Sequence, residues 1–298
     1  MTVTPLVVAE DVSRSFGDVL AVDHVSVTIR PGELVGLLGP NGAGKSVLIS
    51  LLTGLRKPSS GTVRIAGGDP RQPATRVAIG ATPQETGLPA TIKVKEVIEF
   101  VSRHYPDPLP AEKLLDRFGL TDLAGRQCGA LSGGQQRRLA VALAMVGRPA
   151  LVLLDEPTTG LDIEARHSLW NAIEDYQADG GTVVITSHYL EEIQRLARRV
   201  IVIDHGRVLV DDTTQSVIDR VDVDRVSLHS TDTRLDDLPG VVSLERDGDQ
   251  VTLLTRDADA LVHRLCADDV DFSRLRVAGA SLEDAFAQLT RSDARRTA

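Results

Sequence analysis

The chain has 298 residues, 42% hydrophobic and 25% charged, with a formal net charge of −9. That balance is ordinary for a folded protein with room for one large domain and a small one. No apolar run approaches the roughly 20 residues that cross a bilayer, the opening MTVTPLVVAEDVSRSF lacks a signal-peptide pattern, and no basic stripe offers itself to nucleic acid.

These features predict a cytoplasmic chain, with no nucleic-acid partner, whose link to any membrane runs through another polypeptide. Residues 211–298 carry 19 acidic and 11 basic side chains, an imbalance that argues against direct docking on anionic lipid. Residues 1–210, with 23 acidic and 22 basic side chains, are nearly neutral. Cys128 and Cys266 stand far apart with no His or Cys at ligand spacing, and read as reduced thiols.

In chain order, LVVAEDVSRSF and LAVDHVSVTI alternate apolar and polar residues and predict half-buried strands. LVGLLG, a Gly-rich loop and the helically spaced KSVLISLLTGL follow. From about residue 85 to 149, VKEVIEFVSRH and AEKLLDRFGL are helical and strand-like runs are few, so this stretch predicts a helical insert. LVLLDEP and TVVITSH are short unbroken apolar runs, the pattern of strands buried on both faces of a sheet. LDIEARHSLWNAIEDYQADGG between them predicts a helix stopped by Gly180 and Gly181. The expected fold of residues 1–210 is therefore α/β, a sheet with crossover helices.

Residues 211–298 predict a separate small α+β domain. RVSLHS, GVVSLERDGDQVTLLT and RLRVAG read as strands, with Asp247-Gly248 at a tight hairpin turn. DADALVHRLCADD and SLEDAFAQLTR read as helices, the second opened by Ser281 with Asp284 in a capping-box arrangement. If TRLDDLP is a helical turn, the order is β-α-β-β-α-β plus a final helix, which suits a ferredoxin-like module.

GPNGAGKS, Gly39 to Ser46, fits the phosphate-loop pattern. Gly39, Gly42 and Gly44, with Asn41 and Ala43 between them, let backbone N–H groups curl around phosphate oxygens. Lys45 supplies a cation to the β- and γ-phosphates, and the Ser46 hydroxyl a Mg²⁺ ligand. In LVLLDEP, Asp155 at a strand end would hold the Mg²⁺ shell. Glu156 beside it could orient and deprotonate the attacking water.

LSGGQQRR, Leu131 to Arg138, stands just before LVLLDEP, and with that placement the chain resembles the ABC ATPases. The resemblance covers about residues 5 to 210. It implies a phosphate-loop NTPase of ABC type, a mixed sheet with crossover helices, an antiparallel β subdomain and a helical insert, using ATP and Mg²⁺, with Ser132, Gly133, Gly134 and Gln135 reaching across a dimer interface to the partner's γ-phosphate. Four further positions match in order. Phe16 resembles the aromatic that stacks on adenine. Gln84 resembles the glutamine that senses Mg²⁺ and joins the sheet to the helical insert. Asp162 resembles the loop that contacts the opposing subunit, and His188 the histidine that contacts the γ-phosphate. Where the family usually has Thr or Ser facing the α-phosphate, this chain has Val47, whose backbone N–H can still serve.

The resemblance implies an energy-coupling ATPase acting as a homodimer, or with a sister ATPase, beneath a separately encoded membrane permease. It would be peripheral on the inner face of the cell membrane. SLEDAFAQLT resembles the ending of the daunorubicin-resistance-like branch of drug and lipid exporters, so export is the expected direction. An importer ATPase with a regulatory tail and a non-transport ABC ATPase stay open as alternatives.

Overall fold

The computed structural model describes residues 4–82 and 87–297, apart from the side chains of 236, 237 and 291–297. It divides into two compact units, Met1–Thr213 and Thr214–Ala298. Gln84 lies outside the described residues.

In the first unit, β1 (Val7–Phe16) and β2 (Val19–Ile29) form an antiparallel hairpin closed at the Phe16–Val19 pair. β3 (Leu34–Leu38) is buried along its whole length and runs through the Gly-rich loop into α1 (Lys45–Leu52). β4 (Ser60–Ile65) adds to the free side of β1, giving a three-stranded sheet in the order β2-β1-β4. Alternation drives this layer: Val7, Ala9, Val12, Val25, Val27 and Ile29 face a core shared with Leu48, Leu51 and Leu52 of α1. Each Val, Leu or Ile among them contributes about 1.5–3 kcal/mol when fully buried.

α2 (Pro73–Arg76) leads to β5 (Ile79–Thr82). The described chain is then helical until residue 149: α3 (Val94–Ser102), α4 (Ala111–Arg117), two 3-10 turns and α5 (Gly133–Met145). Next come β6 (Leu151–Asp155), α6 (Ile163–Ala178), β7 (Thr182–Thr186) and α7 (Leu190–Leu196). Gly180, at φ +96°, ends the α6 segment as expected. β8 (Arg199–Asp204) and β9 (Arg207–Thr213) close the unit as a hairpin, carrying it past residue 210.

The main sheet has the order β5-β6-β7-β3-β8-β9, parallel throughout except for the β8–β9 hairpin. All five residues of β3, β6 and β7 are buried, so unbroken apolar runs were the right signature. The parallel strands deliver the Gly39 loop, Asp155 and Thr186 to one end of the sheet. Ligands bind at that end in open α/β sheets.

The second unit opens with α8 (Thr214–Asp219) and β10 (Asp224–His229). A 3-10 turn at Thr233–Asp237 leads to β11 (Val241–Asp247) and β12 (Gln250–Thr255), then α9 (Ala258–Ala267), β13 (Ser273–Gly279) and α10 (Leu282–Thr297). The antiparallel order β11-β12-β10-β13 is the ferredoxin-like arrangement, with its first helix reduced to the 3-10 turn. Asp247 pairs with Gln250, so Gly248 (φ +62°) and Asp249 make the two-residue turn. Val226, Leu228, Val251 and Leu253 form its core with Leu261 and Leu265 of α9.

Candidate functional site

The phosphate-loop segment turns back on itself between β3 and α1. Gly42 and Gly44 sit at φ +81° and +103°, conformations that side chains resist. A Cβ on Gly44 would also lie 2.3 Å from the Ala21 carbonyl oxygen. Gly39 and Ala43 pack against each other, a Cβ on Gly39 lying 3.0 Å from the Ala43 Cβ, while Asn41 and Ser46 face solvent. Buried Lys45 donates through Nζ to the carbonyl oxygens of Gly39 at 2.6 Å and Pro40 at 3.0 Å. Burial lowers its pKa below the ordinary lysine value, although the charges of Glu156 and Asp155 pull the other way. Val47 is half-buried against the core under α1.

At the end of β6 the buried Asp155 carboxylate accepts from the Thr186 hydroxyl at 2.6 Å. Glu156 has φ +51°, a left-handed conformation that costs a bulky residue on the order of 1–3 kcal/mol. Its N–H donates to Thr186 Oγ1 at 2.9 Å and to the Thr186 carbonyl at 3.2 Å. Its carbonyl accepts from Arg137 Nη2 at 2.8 Å, and the same guanidinium nitrogen donates to the Asp155 carbonyl. This frame aims the Glu156 side chain at His188, with 2.6 Å between Oε1 and Nε2. The Thr159 hydroxyl reaches the other carboxylate oxygen at 3.4 Å. Half of the His188 side chain is exposed while that of Glu156 is 13% exposed, so the pair looks out from a sheltered base.

Ser132 and Asp162 each start a helix. The Ser132 hydroxyl accepts from Gln135 N at 3.3 Å, and the Gln135 side chain accepts from Ser132 N at 2.9 Å, a reciprocal capping box. Asp162 accepts from Ala165 N at 2.8 Å. The two starts are neighbours, because a Cβ on Gly134 would touch Leu161 Cδ2 at 3.0 Å. A Cβ on Gly133 would meet nothing within 4 Å. Phe16, 37% exposed at the end of β1, carries the guanidinium groups of Arg14 and Arg56 at 4.7 and 5.0 Å from its ring centre.

The structure thus gathers Lys45, Asp155, Glu156 and His188 at one end of the main sheet, with Thr186 and Arg137 as supports that sequence reasoning missed. Arg137 lay in plain view within LSGGQQRR; its burial in a helix start was the missing information. Desolvation lowers its pKa, and the charges of Asp155 and Glu156 oppose that. Among the described residues no helix is long and apolar enough to cross a membrane.

A family model for the ABC transporter matches residues 22–159. The Nod factor export ATP-binding protein I of Sinorhizobium fredii is 36% identical over 292 residues, 94% of this chain and 84% of that protein. A daunorubicin resistance ATP-binding protein of Streptomyces coeruleorubidus is 34% identical over 307 residues, 95% of this chain and 94% of that protein. Among solved structures, a dimeric ATP-binding cassette in a post-hydrolysis state with ADP and Pi has a TM-score of 0.63 at 26% identity, covering 70% of this chain and 98% of its own. An ATP-binding subunit of an ABC transporter has a TM-score of 0.67 at 25% identity, covering 72% and 92%. With its phosphate loop, Asp155-Glu156 strand end and these relatives, the chain belongs to the ABC transporter family as an ATP-binding, ATP-hydrolysing subunit.

Proposed function

We propose that this chain powers an exporter, two copies closing on two ATP molecules and driving a separately encoded permease at the membrane. The observation that carries the hydrolytic part is the Glu156–His188 pair, held on a left-handed turn at the strand end that faces Lys45. The relatives named for Nod factor export and daunorubicin resistance support the direction.

In this reading Lys45 exchanges its two carbonyl partners for β- and γ-phosphate oxygens, and Gly42–Ser46 N–H groups cradle the phosphates. Mg²⁺ suits the donors available: the exposed Ser46 hydroxyl, the buried Asp155 carboxylate and Gln84 offer only hard oxygens. Bound there, the ion supplies charge neutralisation to the phosphates. Glu156 takes the proton of the attacking water, while His188 turns from Glu156 toward the γ-phosphate. Phe16 stacks on adenine. Ser132, Gly133, Gly134 and Gln135 serve the other copy's γ-phosphate; the open space before Gly133 is what supports an approach from outside the chain. Asp162, beside them, lies on the same interface.

Replacing Glu156 by Gln tests the reading. A neutral amide cannot accept the proton, so hydrolysis should fall by about two or more orders of magnitude while ATP binding persists. The variant should run as an ATP-bound dimer on gel filtration. Near-normal turnover would remove Glu156 from the role of base.

A further inference from the structure

Glu192 stands in the first half of α7, a short way beyond His188, and its side chain is wholly buried. Removing a carboxylate from water is costly unless donors replace the lost hydration. Here they do. Thr158 Oγ1 donates to Oε2 at 2.9 Å, Trp170 Nε1 donates to Oε1 at 2.8 Å, and the Ser187 hydroxyl bonds the same carboxyl group. Ser187 Oγ in turn accepts from Tyr189 N at 2.9 Å.

These donors come from three places. Thr158 belongs to the loop between Glu156 and Asp162, Trp170 to the buried face of α6, and Ser187 to the turn that presents His188. Arg166, also on α6, lies over the Tyr189 ring at 4.2 Å and is the cation that acts on Glu192. The neighbouring Thr159 touches Glu156 itself. One buried side chain therefore ties together the two segments that carry the reacting pair. It has no exposed atom with which to meet nucleotide.

We propose that Glu192 is a positioning residue for ATP hydrolysis, a clamp that fixes the Glu156–Asp162 loop against the His188 turn. The proposal rests on the assignment of Glu156 and His188 above. Desolvation pushes the Glu192 carboxyl above its ordinary range, against the pull of its three hydrogen bonds. The Trp170 N–H can only donate and needs an oxygen at position 192. An amide there would keep that bond but turn its N–H₂ group to the Thr158 and Ser187 hydroxyls, which would have to stop donating and accept instead.

The test uses the full chain as wild type, Glu192→Gln, Thr158→Val and Glu156→Gln. Steady-state hydrolysis, nucleotide affinity by calorimetry and thermal transitions are measured for each. Because Trp170 is the chain's single tryptophan, its fluorescence reports the clamp directly and should shift in Glu192→Gln. Thr158→Val keeps the shape and the charge of the cluster while deleting one donor. Both clamp variants should lose about ten- to a hundredfold in kcat, since small misplacements of reacting groups are that costly. KM and nucleotide affinity should stay within about twofold, as neither side chain reaches the phosphate loop. A purely structural role would instead lower affinity and the thermal transition with kcat, and that pattern overturns the proposal. A stably folded Thr158→Val with wild-type kcat also overturns it, whatever Glu192→Gln does. Normal turnover in Glu156→Gln would instead remove the assignment beneath it; an inactive Glu156→Gln beside a normal Thr158→Val removes only the clamp.

Discussion

Val47 occupies the first turn of α1, where its side chain is half-buried against the cluster formed by Leu48, Leu51 and the strands below. If position 47 faces the α-phosphate of bound nucleotide, a hydroxyl there would add one hydrogen bond to a charged phosphate oxygen, worth roughly 1.5–3 kcal/mol in favourable geometry. Part of the side chain serves packing, and water would otherwise serve that oxygen, so the lower end is expected. Thr matches Val in shape and β-branching, so the helix accepts it. Val47→Thr should tighten ATP and ADP together by up to about tenfold. Both nucleotides have an α-phosphate, so their ratio should hardly move, and uniform binding leaves the maximal rate nearly unchanged. Calorimetric titration with both nucleotides checks this; a gain for ATP alone would place the side chain elsewhere.

Elements are held by contacts that differ in reach. α10 begins on a reciprocal box, Ser281 N donating to Asp284 Oδ2 at 2.8 Å and Asp284 N to Ser281 Oγ at 3.2 Å. Arg225 of β10 adds two bonds to the same carboxylate, at 2.6 and 3.2 Å. Burial pushes the Asp284 carboxyl up, but the Arg225 and Ser281 bonds outweigh it and hold the pKa below its ordinary value. A depressed carboxylate pKa contributes stability above the unfolded value, lost as pH falls through the folded one. Asp284→Ala should therefore destabilise the second unit at neutral pH by about 2 kcal/mol, combining a lost cap with the loss of an ion pair whose carboxylate is buried and whose guanidinium is partly exposed. The gap between mutant and wild type should shrink on acidification below the ordinary carboxylate range. Thermal melts at both pH values test this, and an unshifted melt at neutral pH would discount the contact. The Ser281–Asp284 box was legible because capping is written three residues apart, whereas Arg225 lies 59 residues away. The same division runs through the site. Gly39–Ser46, Asp155-Glu156 and Ser132–Gln135 are local patterns. Arg137 and Glu192 are buried charges; apart from Ser187, five residues before Glu192, the partners described above arrive from segments 18 to 34 residues distant, and no local spacing announces them. The β8–β9 hairpin also passed unread, because its turn is His205-Gly206 rather than a strong turn dipeptide.

For the whole molecule the decisive question is whether one site is built from two chains. Lys45 and Ser132 belong to different helix starts of one chain, and the surface before Ser132 and Gly133 is open. If Ser132 serves the partner's nucleotide, a Lys45→Ala chain and a Ser132→Arg chain are defective in opposite halves of each site. Each variant alone should form no complete site, although Ser132→Arg should still bind ATP in its own phosphate loop. A mixed dimer is different. It joins the intact phosphate loop of the Ser132→Arg copy to the intact Ser132 of the Lys45→Ala copy, and the second site collects both defects. Random pairing in a two-fold symmetric dimer gives about half mixed dimers, and so about a quarter of all sites complete. Turnover is a poor readout, because hydrolysis could require both sites at once. Both variants are therefore placed on the Glu156→Gln background, and ATP retained through gel filtration is counted. The expected value is about a quarter of that retained by Glu156→Gln alone. No retained ATP, with differently tagged copies shown to co-purify, would mean that Ser132 acts within its own chain.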